Sequence, residues 1–214
     1  MAIQQIDIQP ALDAAKGREL PTELTRFLDA AELRIDALYD EERNRQVPKF
    51  FPSDATLLHH ALIHLQEEDR LLGNSFCEWG SGMGVGIGVA TMLGFEAYGI
   101  ELEKPLVDES RELLAGHGID AKVIHGSYLP DGLDSHDGGI GGEELVVYRE
   151  EDSDESSFEY EGMPMALEEV DLFYVYPWPG EQEFILDLFA AVAAPGALLV
   201  AYLGDGDLCA YLLT

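Results

Sequence analysis

Between Gly80 and Gly88 every second residue is glycine, within the run FCEWGSGMGVGIG that begins at Phe76. An apolar segment of strand composition, residues 74–79, leads into this cluster, and an apolar helical segment, residues 85–93, leads out of it. A chain spends glycine at a strand-to-helix junction where the turn is sharp. There it also lets backbone N–H groups approach a ligand at the positive end of the helix. Two acids accompany the turn: Glu78 just before it, and Glu101 at the end of the next apolar strand, residues 97–100. The spacing of Gly80, Gly82 and Gly84 is G-x-G-x-G. Every frame of G-x-G-x-x-G fails, because the third glycine would fall on Val85, Ile87 or Val89, so the dinucleotide fingerprint is absent.

The rest of the chain alternates. After the helix at 85–93 and the strand at 97–100 come a helix at 105–115, strands at 121–125 and 170–176, a helix at 181–193 and a strand at 197–203. Continuous apolar strands separated by helices predict a mainly parallel sheet covered on both faces. Asp205-Gly206 is a tight-turn signal, so a last strand at 208–213 is expected to return antiparallel, for about six strands in all. Leu20, Leu24, Phe27, Leu28, Ala31, Ile35 and Leu38 recur at helical spacing and predict an amphipathic helix over 21–43. Ser53 or Asp54 is placed to cap a second helix with the stripe Leu57, Leu58, Ala61, Leu62 and Leu65. The expected organisation is a helical N-terminal extension (1–52) and an α/β domain (53–214). Residues 131–169, rich in Gly, Ser and acid, stand where a short helical crossover belongs and are expected to form a long, mobile, acidic insertion.

FCEWGSGMG resembles the first motif of the class I S-adenosylmethionine-dependent methyltransferases: an apolar strand, an acid, any residue, then G-x-G-x-G. The resemblance runs from about Phe50 to Leu203 and implies a Rossmann-like sandwich that binds S-adenosylmethionine. It places Glu78 by the methionine moiety, with Trp79, Gly80, Ser81, Gly82 and Gly84 lining it. Glu101 would accept hydrogen bonds from the ribose hydroxyls, Leu102 would flank the adenine, and Ser127 and Tyr128 would meet its edge or face. DLFYVYPWPGE stands where the family's substrate-facing motif lies and is similar to the Asp/Asn-Pro-Pro-aromatic box. Tyr176 takes the place of the amide or acid and Trp178 that of the second proline, making these two the candidate catalytic residues. KFFPSD resembles a segment that closes over the cofactor in some relatives. The resemblance also implies that the family's last helix-strand unit is missing.

These residues imply methyl transfer to an acceptor that the sequence does not name. A non-catalytic S-adenosylmethionine-binding sensor or partner subunit fits them too. The 42 acids and 12 bases, for a net charge of −30, disfavour nucleic acid as a direct partner, since binding it depends on cations that displace counterions. A small molecule or a basic protein is the expected acceptor. His60 and His64 lie one turn apart, but without the glutamate of a zinc-peptidase helix or an evident third ligand no metal is expected. Cys77 and Cys209 read as structural thiols. No run of 18 apolar residues occurs, and the N-terminus lacks a basic start followed by an apolar block, so a cytoplasmic location without membrane contact is expected.

Overall fold

The computed structural model describes residues 1–40, 47, 50–137, 143–147, 158–204 and 207–214. In chain order the elements are β1 (Ile3–Ile6), α1 (Gln9–Ala15), α2 (Thr22–Asp40), α3 (Ala55–Glu67), β2 (Ser75–Trp79), α4 (Val85–Met92), β3 (Glu96–Glu101), α5 (Lys104–Gly116), β4 (Lys122–His125), β5 (Leu133–Asp137), β6 (Glu143–Val147), β7 (Leu172–Val175), α6 (Gln182–Val192), β8 (Leu198–Gly204) and β9 (Asp207–Leu213). Strands β5 and β6 pair with each other as an antiparallel hairpin. The other seven form one sheet in the order β1-β9-β8-β7-β2-β3-β4. The pairings from β8 to β4 are all parallel, and those of β9 with β8 and β1 are antiparallel.

The α/β architecture agrees with the alternation of the sequence. The sheet has one strand more than the sequence indicates, and the extra strand comes from the other end of the chain. Ile3 to Ile6 pair with Leu213 to Ala210, so the N-terminal 52 residues supply a strand as well as helices α1 and α2. Two central glutamines hide this strand: all four residues of IQQI pair with β9, but only the two isoleucines are part-buried. Helix α2 covers the expected span as far as Asp40, and the last three residues of that expectation lie outside the described residues. The Asp205-Gly206 turn does too, although Gly204 and Asp207 face each other across it.

Each parallel strand is sandwiched, which explains its unbroken apolar sequence. Phe76 and Tyr174 face the layer of α1 to α5, where Leu12, Phe27, Leu58, Leu62 and Leu65 are buried. Cys77, Trp79 and Phe173 face the other layer, with Phe184, Leu188 and Phe189 of α6. Among the described residues α6 is the α-helix that covers this second face, and the expected insertion completes it. Leu133, Phe158, Tyr160, Met163 and Leu167 are all buried there, and Leu145 packs beside them. The segment 131–169 therefore departs from the expected solvated loop: its apolar residues replace the crossover helix, and removing them would uncover Phe173 and Trp79. The remaining residues, 138–142 and 148–157, lie outside those described.

Helix α3 begins at the expected cap. Asp54 accepts a hydrogen bond from the Leu57 N–H (3.0 Å), satisfying one of the donors that a helix start leaves free. Helix α2 is tied to α5 through Arg34, whose Nη1 lies 2.9 Å from Glu109 Oε2. Among the described residues no helix is long and apolar enough to cross a membrane.

Candidate cofactor site

The chain runs outward from β2 through β3 to β4, then crosses back to β7 on the other side of β2. Open α/β sheets bind ligands in the crevice at the carboxyl ends of the strands where this reversal occurs. A cavity of about 930 Å³ lies there. Its floor is Glu78 to Gly82 at and beyond the end of β2, Ile100 to Glu103 at and beyond the end of β3, and Gly126 to Leu129 after β4. Its rim comes from Val175 to Pro179 after β7 and from Phe50 to Thr56 ahead of and into α3. All the expected site residues line it except Gly84: Glu78, Trp79, Gly80, Ser81, Gly82, Glu101, Leu102, Ser127, Tyr128, Tyr176 and Trp178.

Gly84 serves the turn from behind. Its φ is +74°, and a Cβ there would lie 2.2 Å from Ser110 Oγ on α5. Gly80, also in the left-handed region at +71°, has nothing within 4 Å of where a Cβ would stand, leaving the backbone bare on its open side.

The turn's N–H groups are used differently from the expectation. Gly80 and Ser81 both donate to the Ile100 carbonyl (2.9 and 3.0 Å), and Gly82 donates to Glu101 Oε2 (2.7 Å). Ile87, in the first turn of α4, donates to Glu78 Oε2 (2.9 Å), so Glu78 caps a helix whose own N-cap, Gly84, has no side chain. These donors are spent inside the protein. The floor presents carboxylates rather than a nest of amides, which suits a ligand bearing positive charge and hydroxyl donors and not one bearing phosphate.

Glu78 and Glu101 are each 6% exposed. Burial pushes the Glu78 carboxyl well above its usual range, with the charge of Glu101 adding to the rise and the Ile87 N–H opposing it. Burial raises Glu101 too, against the hydrogen bonds from Glu103 and Gly82. A carboxyl raised in this way favours its neutral form in the fold, and the stability it costs sets in as pH rises past the unfolded value, grows up to the raised value and is constant above it. Glu78→Gln is therefore expected to raise the unfolding temperature of the protein at neutral pH. Thermal melts of both proteins should show the gain vanish near pH 4. A gain independent of pH would contradict a buried, titrating Glu78.

Around this floor Trp79 packs against Phe173 (centroids 4.9 Å apart) and lies 6.4 Å from the Tyr128 ring. Tyr160, from the segment expected as a loop, donates its hydroxyl to the Tyr128 carbonyl. Ser127 Oγ accepts from the Leu129 N–H (3.1 Å) and so shapes its own loop. Leu102 is 63% exposed on the cavity wall. Tyr176 packs edge-on against Tyr202 (4.8 Å).

Several lining residues carry no signal in the sequence. Glu181 and Ser135 reach the cavity only through the fold. Phe50 and Phe51 belong to the KFFPSD segment, which Tyr39 anchors by donating to the Phe50 carbonyl (2.9 Å). Beyond Glu78 and Glu101, the charged lining side chains are Glu32, Asp36, Asp54, Glu103 and Glu181. No lysine, arginine or histidine is among the described lining residues.

No protein-family model matches the sequence, and no curated protein sequence matches it. Solved structures do. A methyltransferase from Geobacter sulfurreducens is 14% identical, with 97% of this chain and 99% of that chain aligned at a TM-score of 0.51. An RNA methyltransferase from Salinibacter ruber, in complex with S-adenosyl-L-homocysteine, is 15% identical over 77% of this chain and 93% of its own, with a TM-score of 0.49. A SAM-dependent methyltransferase from Thiobacillus denitrificans, also with S-adenosyl-L-homocysteine, is 20% identical over 65% of this chain and 46% of its own, with a TM-score of 0.39. The near-complete overlap with the Geobacter structure, together with the strand order and the turn after β2, shows that this chain has the Rossmann-like fold of the class I S-adenosylmethionine-dependent methyltransferases.

Proposed function

We propose that the chain is an S-adenosylmethionine-dependent methyltransferase whose acceptor is a small molecule or a protein side chain rather than a nucleic acid. The observation that carries this reading is the pair of buried carboxylates, Glu78 and Glu101, at the ends of adjacent parallel strands on the floor of one cavity. The donor set fits the cofactor. Glu78 suits its ammonium and sulfonium charges, and the lone pairs of Glu101 not taken by Gly82 and Glu103 suit two vicinal ribose hydroxyls. When bound, the cofactor supplies an electrophilic methyl group. An acceptor's lone pair would take up that methyl group, its own proton passing to water, while Glu78, Glu101 and the turn after β2 would hold the cofactor.

The chain's own contribution is alignment and exclusion of water, which is sufficient for large accelerations of such displacements. Tyr176 and Trp178 line the cavity and are the side chains that would face an acceptor. No cation is among the described lining residues, and with the net charge of −30 this supports the exclusion of nucleic acid.

Calorimetry with S-adenosylhomocysteine tests the assignment. Because Glu78 is raised in the free protein, a ligand whose ammonium group restores its ionised form releases a proton. Affinity is therefore expected to rise with pH until Glu78 ionises unaided, and the measured heat should depend on the buffer's ionisation enthalpy. Glu78→Gln should abolish that dependence. Absence of any binding heat or thermal shift would overturn the reading, and binding without turnover on a broad acceptor panel would favour a sensor.

A further inference from the structure

The run FEYEGMP, residues 158–164, carries a side chain that reaches the floor of the cavity from behind. Tyr160 stands between two exposed acids, Glu159 and Glu161, yet is itself only 6% exposed. The backbone around it is fixed. The Met163 N–H donates to the Tyr160 carbonyl (3.0 Å), closing a turn in which Gly162 has φ +91°, and the Leu167 N–H donates to the Phe158 carbonyl (2.9 Å). Leu167 is fully buried, so this turn is anchored in the core. From that anchor the Tyr160 hydroxyl donates to the Tyr128 carbonyl, across 32 residues of chain.

Tyr128 belongs to the loop 126–129 after β4, which lines the cavity, whereas Tyr160 itself does not. The loop starts against β3, where the Gly126 N–H donates to the Glu101 carbonyl (2.9 Å). Strand β4 is the last of the sheet among the described residues, so no further strand steadies the loop on its outer side. The bond from Tyr160 ties it instead to a segment beneath the sheet. Glu78, Glu101 and this loop stand at the ends of three successive strands, β2, β3 and β4. With the amino-acid end of the cofactor at Glu78 and its ribose on Glu101, the base falls beyond Glu101, beside the loop.

We infer that Tyr160 is a positioning residue of the cofactor site: its hydroxyl holds the loop 126–129 in place against the base, so that the segment 158–167 sets cofactor affinity from outside the cavity. This rests on the methyltransferase reading for the identity of the ligand. The tie between the two segments stands on the hydrogen bond and its anchor.

Tyr160→Phe removes the hydroxyl and keeps the ring. Calorimetry compares this variant of the full chain with wild type on S-adenosylhomocysteine and on S-inosylhomocysteine, in which a carbonyl oxygen replaces the amino group of the base. Loss of one ordering hydrogen bond is expected to weaken S-adenosylhomocysteine by roughly two- to tenfold. S-inosylhomocysteine should lose less, because a loosened loop discriminates the edge of the base less well. In the ligand-free proteins, amide hydrogen exchange in the peptide 126–130 should be faster in the variant, with β2 unchanged. Leu188→Ala controls for plain destabilisation, since Leu188 is fully buried on the same face of the sheet and does not line the cavity. It should lower the unfolding temperature and leave the ratio of the two affinities as in wild type. Unchanged affinity, equal weakening of both ligands, or unchanged exchange at 126–130 in Tyr160→Phe overturns the inference. So does a change of ratio in Leu188→Ala as large as that in Tyr160→Phe. A wild-type chain that gives no heat with S-adenosylhomocysteine overturns the methyltransferase reading instead, and exchange at 126–130 then decides by itself whether Tyr160 holds the loop.

Discussion

Glu101→Ala is expected to weaken S-adenosylhomocysteine binding by roughly 1.5–3 kcal/mol, about 10- to 150-fold, the range for losing hydrogen bonds to a charged group. The carboxylate works on both sides. Toward the protein it accepts the Gly82 N–H (2.7 Å) and the Glu103 N–H (2.8 Å) and so joins the turn after β2 to the end of β3. A carboxylate offers about four acceptor positions, so the others remain for the ligand. Alanine removes both functions and leaves two backbone donors without their acceptor. Glu101→Gln separates the effects: its side-chain oxygen can still accept one N–H, but the charge is gone and the amide group repels a hydroxyl's hydrogen. Calorimetry of the glutamine variant should therefore show most of the affinity loss with a smaller drop in unfolding temperature than alanine produces. Unchanged affinity in a folded Glu101→Ala protein would remove the ribose assignment.

Gly84→Ala should destabilise the protein by roughly 2–4 kcal/mol, combining the cost of a side chain at positive φ with overpacking against α5. The added methyl would lie 2.2 Å from Ser110 Oγ and 3.2 Å from Ser110 Cβ, on a residue that is fully buried. Ser110 has little room to withdraw. Deleting the oxygen with Ser110→Ala should recover the packing part of the loss and leave the backbone part, so the double mutant should fall between wild type and the single variant in urea melts. Additive losses would show that the clash is not what makes glycine necessary there.

Local physics made the centre of the molecule legible. Strands β2, β3, β7 and β8 are covered on both faces, so their sequences are continuously apolar and announce a parallel sheet. Glu78, the G-x-G-x-G turn and Glu101 lie within one strand-turn-helix-strand unit, where short-range spacing determines what meets what. The Asp54 cap is equally local. Strand β1 was beyond reach because IQQI has no pattern of its own and becomes a strand only against β9, the far end of the chain. The segment after Asp131 read as solvated because its acids outnumber its apolar residues. Phe158, Tyr160, Met163 and Leu167 are nonetheless drawn inside to cover a face that α6 alone leaves open.

The amino-acid sequence by itself determined the α/β alternation, the glycine turn and the identity of the two floor acids, since each depends on residues close together in the chain. Tertiary structure alone decided that the turn's amides are spent on Ile100 and Glu101, that every described charged group around the cavity is an acid, and that Phe51 meets Trp178. Those outcomes depend on contacts between segments far apart in sequence, where the packing of the whole sheet, and no local preference, sets the distance.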